Sequence, residues 1–422
     1  MRVVFIHQNM PGQYKHLAPR LAADGHEVVF ITKRRNIELP GVRRIVYDLS
    51  REPNSQGHRY ARHYDGQLLY GQAVARVLIK LRDEGFHPDL ICAHSGWGEA
   101  MFIKDIFPDS SLQVFSEFFY RGQGADVGFE DKGEASLDAQ CRARARNAHM
   151  LIAMADAESL IAPTIWQWQQ HPQALRERMV VIHDGIDSAA CQPDPTATFT
   201  LPTGEILSRE DEVITYMARN LEPYRGFHKF MAGLESLLER RPNARVIIVG
   251  GDEISYGSGP EDGKNWREVL LAKHKVDPLR VHFVGRLPYD TYVRFLQISR
   301  VHVYMTSPFV LAWSSMESMA AGCAIAASST PPVREVMRDG ENALLFDFFN
   351  PEEMVDQVCR LLDDAALRAR LGAAARQTIL DHYDLHTVAL PRQMELLTRL
   401  ASKQPLNGAY VPTADSIIDV NG

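Results

Sequence analysis

RVHVYMTSPFVLAWSSMESMAAGCAIAAS, residues 300–328, decides the fold. The apolar run up to Thr306 reads as a strand, and CAIAAS reads as another. Between them lie a loop and a helix predicted from near Ser314 to Gly322. Two short apolar strands joined through a helix build a parallel sheet, not a hairpin. One carboxylate, Glu317, is expected in the first turn of that helix. It is either a cap that satisfies the helix dipole or a ligand residue beside a diphosphate held on free N–H groups.

The same pattern runs outward in both directions. In the N-terminal half, RVVFIH, HEVVFIT, PDLICAH, LQVFSEFF and MLIAMA read as strands, with YKHLAPRLAADG as a helix, and VVIHDGID closes the half. EVITYMAR, RVIIVGGDE, RVHFVGRL and NALLFD extend the second series, with helices such as FHKFMAGLESLLERR between them. The predicted class is α/β with two Rossmann-like, doubly wound parallel sheets. The expected division is an N-terminal domain over 1–190 and a linker over 191–212, where QPDPTATFTLPTGE is rich in proline and threonine. A C-terminal domain over 213–380 follows, then a helical segment over 381–402 that returns to the first domain, and a mobile tail over 403–422. Two such domains are expected to leave a ligand cleft at the carboxyl ends of their sheets.

Composition bounds the function. The chain has 422 residues, a net charge of −7 and 45% hydrophobic residues, which suits a globular protein of two or three domains. The acidic balance argues against nucleic acid as the main partner. Five scattered cysteines form no CxxC pair, so they are expected reduced, in a cytoplasmic setting. The N-terminus lacks a cleavage site, and no stretch suits a membrane span. Contact with the inner face of the plasma membrane is still open. CRARARNAH offers a basic helical face, and Trp166 and Trp168 are either an anchor or core.

Several residues could carry chemistry. Arg219 and Arg225, in YMARNLEPYRGFHKF, follow a strand and are either a pair neutralising a leaving diphosphate or solvated surface arginines. Gly12, between the first strand and helix, allows either a close ligand approach or a plain turn. His94 ends a strand and is an acceptor contact, a base or a structural histidine. Glu117 also ends a strand. Burial would carry it toward general-base range, and the alternative is a carboxylate paired with Arg121.

These stretches together resemble glycosyltransferase family four, retaining enzymes of the GT-B fold, over about residues 1–385. VVIHDGID resembles the family's interdomain segment, with Asp184 in place of the usual Asn. MARNLEPYRG resembles its donor motif, with Arg225 where lysine is common. VHFVGRLPYDTYVRFLQISRVHVYMTS resembles its base-binding block, and MESMAAGCAIAASSTPPVREVMRDGENALLF its most recognisable one. FIHQNMPGQYKHLAPRLAADGHEV resembles one branch, which works in polysaccharide or cell-surface glycan assembly. The family signature has two glutamates with seven residues between them; Glu317 is the second, and Phe309 stands at the first. Glu117 stands where the family often has a histidine.

The resemblance implies a nucleotide sugar, UDP-linked in first place, as co-substrate with no cofactor and no metal. A hydroxyl of a glycan, a lipid-linked or a small-molecule acceptor would receive the sugar with retention. Gly12, Gly285, Leu287, Phe309, Val310, Leu311, Ala312 and Glu317 are then expected at the donor, with Arg219, Arg225, Glu117 and His94 at the chemistry. Two alternatives stand beside this: a catalytically silent nucleotide-sugar-binding partner protein, and a sugar-nucleotide epimerase of the same fold.

Overall fold

The computed structural model describes residues 1–131, 134–261 and 263–406. The chain divides into two compact units, Met1–Asp184 with His386–Gly422, and Gly185–Leu385.

In the first unit, β1 (Arg2–Ile6), β2 (Glu27–Thr32), β3 (Val42–Val46), β4 (Leu90–His94), β5 (Ser111–Phe115), β6 (Ser159–Ala162) and β7 (Met179–Val181) form one parallel sheet. The strand order is β3-β2-β1-β4-β5-β6-β7. Every residue of β4 and β5 is buried. A parallel strand covered on both faces needs such a continuous apolar run rather than an alternating one. The order reverses between β1 and β4, which makes their carboxyl ends the place where a ligand can enter this sheet. Helix Leu390–Ala401 belongs to this unit; it buries Leu396 and Leu397, and its Leu400 carbonyl accepts the Ser111 hydroxyl at 2.7 Å.

In the second unit, β10 (Val213–Asn220), β11 (Arg245–Gly251), β12 (Val281–Gly285), β13 (Val301–Tyr304), β14 (Ile325–Ser328) and β15 (Leu344–Phe346) form a parallel sheet, ordered β12-β11-β10-β13-β14-β15. Its reversal lies between β10 and β13. Helix Phe227–Arg240 buries Phe227, Phe230, Leu234 and Leu237 along one stripe, and leaves its charged residues outside.

Three expectations change. MLIAMA is not a strand but part of helix Ala148–Ala155. Met150, Ala153 and Met154 face inward while Leu151 and Ile152 stay exposed, which is helical spacing, and SLIA takes the strand position as β6. The stretch 191–212 is not a linker. It carries an antiparallel hairpin, β8 (Thr198–Thr200) with β9 (Ile206–Ser208), whose paired Phe199 and Leu207 sit in the core of the second unit. The unit boundary falls instead at Asp184 and Gly185. Helix Trp313–Ala320 starts one residue early, so Glu317 lies in its second turn and no side chain caps it. Of the expected tail, residues 407–422 lie outside the described residues.

Candidate functional site

In the second unit, the segments after β10 and β13 meet at the strand reversal. Arg225 closes a short turn, Pro223–Arg225, and is 6% exposed. Its guanidinium donates to the Thr306 hydroxyl at 2.9 Å and the Val310 carbonyl at 2.8 Å. Burial opposes its charge, but the polar groups around it, Tyr304, Tyr256 and Glu222, outweigh that and raise its pKa. Gly226, at φ +70°, makes the approach possible, because a Cβ there would lie 2.5 Å from Met305 Cβ. Arg219 is exposed on β10, and no side-chain hydrogen bond or ion pair engages it among the described residues.

Phe309 packs beside Arg225. Its ring centroid is 4.9 Å from that of Tyr256 and 5.3 Å from that of Tyr224. Val310 contributes its carbonyl to Arg225. The Leu311 side chain is buried in the core of the unit, which leaves a donor contact there to its backbone. The Ala312 N–H is taken by the Tyr304 hydroxyl oxygen at 3.1 Å. It is therefore not a free donor for a ligand, as the loop N–H groups were expected to be.

Glu317 is not a cap. Its Oε1 accepts the Tyr289 hydroxyl at 3.1 Å and its Oε2 the Tyr292 hydroxyl at 2.9 Å. The sequence reading missed both tyrosines, although their three-residue spacing on helix Tyr289–Gln297 was visible. Leu287 is half-buried against the unit's core. Gly285 ends β12 at φ +67° with open space where a Cβ would sit, so backbone conformation alone requires glycine there.

In the first unit, Gly12, His94 and Glu117 come together after β1, β4 and β5. The His7 Nδ1 accepts the Asn9 N–H at 2.9 Å, so its Nε2–H donates to Gln13 Oε1 at 2.8 Å. Gln13 Nε2 then donates to Glu117 Oε1 at 3.1 Å. The His94 Nδ1 accepts the Gly96 N–H at 2.9 Å, which puts its proton on Nε2, 3.8 Å from Glu117 Oε2. Burial lowers His7 to about 4 and His94 well below its usual value, so both rings are neutral at pH 7. A general-base role for His94 does not fit, because its lone pair is occupied and Nε2 carries the proton. Gly12, at φ +51°, lies flat on the His7 ring, where a Cβ would be 2.4 Å from Nε2. Its need is this contact. His7 and Gln13 were missed, because nothing local in the sequence signals a bond from residue 13 to residue 117.

Two further features bear on the readings. Glu99 is buried, takes the Tyr47 hydroxyl and the Gln8 N–H, and is pushed up to about 7 by burial. Trp166 and Trp168 are core, not an anchor. Arg142 and Arg144 stay exposed on helix Leu137–Arg146. Four of the five cysteines are buried and Cys141 is exposed. Among the described residues, no helix is long and apolar enough to cross a membrane.

Comparison with known proteins covers both units. Residues 24–191 match the model for the glycosyl transferase family 4 group, and residues 203–378 the model for glycosyl transferases group 1. The chain is 26% identical over 249 residues to the phosphatidyl-myo-inositol mannosyltransferase of Mycolicibacterium smegmatis, covering 58% of each chain. It is 29% identical to the D-inositol 3-phosphate glycosyltransferase of Corynebacterium efficiens, over 49% of this chain and 47% of that one. The chain spans about half the length of the curated relatives it matches. Among solved structures it is similar to sucrose-phosphate synthase from Thermosynechococcus elongatus, with a TM-score of 0.71 and 18% identity over 95% of this chain and 100% of that one. It is also similar to Anabaena HepE in complex with UDP-glucose, with a TM-score of 0.68 and 16% identity over 94% and 99%. At these identities the likeness speaks for the fold.

Proposed function

This chain belongs to glycosyltransferase family four and has the GT-B fold, and on that footing we propose that it moves a hexose from a nucleoside-diphosphate donor, UDP-linked in first place, to a hydroxyl acceptor. The anomeric configuration is retained, and the acceptor belongs to polysaccharide or cell-surface glycan assembly. The names of the matched relatives, a mannosyltransferase and inositol phosphate glycosyltransferases, support sugar transfer. The UDP-glucose complex of a neighbour supports the donor class.

The observation that carries the reading is the second unit's site. A buried, charged Arg225 after β10 is fixed by the loop after β13, at the strand reversal where open α/β sheets bind ligands. Glu317, held by Tyr289 and Tyr292, accepts the ribose hydroxyls. Arg225, with Arg219 recruited from the surface, neutralises the diphosphate as it leaves. In the transfer the bond from the anomeric carbon to the phosphate oxygen breaks, and the acceptor oxygen bonds to that carbon on the same face. The acceptor proton passes to the leaving phosphate oxygen, and UDP departs. No protein nucleophile and no metal is needed in this scheme, since the arginines supply the positive charge. In this scheme Glu117, which takes a hydrogen bond from Gln13, accepts a hydroxyl of sugar or acceptor.

The test is UDP release from labelled UDP-sugars with and without a hydroxyl acceptor. Acceptor-dependent release supports the proposal. Phe309 in place of a family glutamate favours a second reading, a nucleotide-sugar-binding protein without turnover. Tight donor binding with no release under any acceptor would select that second reading.

A further inference from the structure

The second unit gathers three arginines at the opposite end of its sheet from Arg225. Arg209 lies before β10 and Arg300 directly before β13, whereas Arg225 and Thr306 follow these two parallel strands. Backbone contacts draw the three together. The Arg300 guanidinium donates through Nη1 to the Glu210 carbonyl at 2.7 Å, next to Arg209 in the chain. Arg209 donates through Nη2 to the Gly322 carbonyl at 3.0 Å. Gly372, on helix Ala365–His382, packs on that same carbonyl oxygen, where a Cβ would lie 2.5 Å away. Arg368 stands one turn before Gly372, on the same face of the helix. Its Nη1 donates to the Leu361 and Leu362 carbonyls at 2.6 and 2.7 Å.

All three side chains are half-buried, and among the described residues none forms an ion pair. A guanidinium has five N–H donors. One nitrogen of each is engaged, always on neutral carbonyls, and the Arg300 Nε is buried without a partner. The carboxylates whose charge reaches Arg368 are committed elsewhere. Asp364 Oδ1 takes the Leu367 N–H at 2.8 Å, and Glu212 Oε1 lies 3.9 Å from Arg241 Nη1. Burial lowers the Arg368 pKa, Arg300 and Arg209 lower it further, and Asp364 and Glu212 counter this only in part. Stapling of carbonyls explains one nitrogen of each arginine. It gives no reason to gather three like charges out of water in a chain of net charge −7.

We propose that Arg209, Arg300 and Arg368 form a binding site for a phosphoryl group, free or borne by a sugar phosphate, separate from the site of Arg225 and Glu317. Guanidinium forks match phosphate oxygens, and a multiply charged anion offsets the mutual repulsion of the three cations. The site does not depend on the nucleotide-sugar reading.

The experiment is calorimetric titration of the full chain with inorganic phosphate and with glucose 6-phosphate, against chloride at matched ionic strength. At least one of the two should bind, and the tighter arm names the source of the phosphoryl group. Arg368→Gln and Arg209→Gln should each weaken that binding by about tenfold or more, the scale of a charge-assisted hydrogen bond. Arg225→Ala should leave it within about twofold, as expected of a distant site. If neither glutamine variant folds, Arg368→Lys, which keeps the charge and loses the fork, should still lower the affinity. Absence of binding by both anions, or an affinity that the Arg209 and Arg368 variants leave unchanged, overturns the proposal.

Discussion

Replacing Glu317 tests the donor site most directly. The carboxylate has about four lone-pair directions, and two are used by Tyr289 and Tyr292. In the proposed scheme the carboxylate also accepts the vicinal hydroxyls of a ribose. A hydrogen bond to a charged acceptor contributes about 1.5–3 kcal/mol. Water fills part of the gap when the side chain is cut to alanine, so Glu317→Ala should weaken UDP by about 1–3 kcal/mol, or about 5- to 150-fold. The same change leaves the buried Tyr292 hydroxyl without its acceptor, which should lower stability by about 1–3 kcal/mol. The assay is calorimetry with UDP and with its 2′,3′-dideoxy analogue, after circular dichroism has shown a folded variant. The native chain should prefer UDP, and Glu317→Ala should bind the two alike. A folded Glu317→Ala protein that keeps the native preference would refute the role, because the discrimination would then come from elsewhere.

The remaining expectations can be checked alongside. Tyr292→Phe frees one carboxylate oxygen to swing, so it should lower UDP preference over the dideoxy analogue by a smaller factor than Glu317→Ala does, in the same calorimeter. Arg225→Ala and Arg219→Ala should lower turnover more than donor affinity, since diphosphate charge grows as the sugar leaves; variants that change only the Michaelis constant in steady-state kinetics would contradict this. Phe309→Glu should slow the natural reaction and Phe309→Leu should slow it less, because a charge placed among rings is poorly solvated; faster donor turnover in Phe309→Glu would favour the silent reading. Buried His7, His171 and His183 are each depressed to about 4 by burial. The unfolded chain therefore takes up protons first as pH falls, so stability should fall between pH 6.5 and 4, by up to about 3 kcal/mol for each group, and the thermal unfolding midpoint should fall with it. A flat midpoint across that window would show that the rings are not buried neutral.

How much was legible follows from where each signal lives. Strands such as β4 and β5 announced themselves because a parallel sheet covered on both faces needs unbroken apolar runs. MLIAMA has the same look, but it follows a basic helical stretch and buries only one stripe. An apolar run of that length does not by itself distinguish a helix from a strand. The hairpin of β8 and β9 hid in a segment whose proline and threonine read as a break, although Phe199 and Leu207 alternate with polar neighbours. In the site, Arg225 and Phe309 were found because each follows a central strand, and chain order alone points there. What escaped were partners joined across long stretches: Gln13 with Glu117, and Glu222 with the backbone of residues 255–257. Such bonds have no local period, so only the folded chain displays them.

The first unit also bears on enzyme against silent binder. A protein that only holds a nucleotide sugar needs the second unit's site and has no use for an ordered carboxylate after β5. Yet Glu117 is met by Gln13, which is itself fixed by His7. The His94 Nε2–H faces it at 3.8 Å, buried and without a hydrogen bond. A buried donor left in that state costs free energy, and burying neutral rings costs stability as pH falls. Gly12 is constrained to the same end, since no side chain fits over the His7 ring. Several residues thus give up stability to hold one carboxylate in one place, as a site that positions a reacting hydroxyl requires. The departures from the family, Phe309 and Glu117, fall at positions that the proposed scheme gives to sugar or acceptor, while Arg225 and Glu317 keep supporting partners. That distribution is what a change of sugar or acceptor produces, and loss of function would have no reason to respect it.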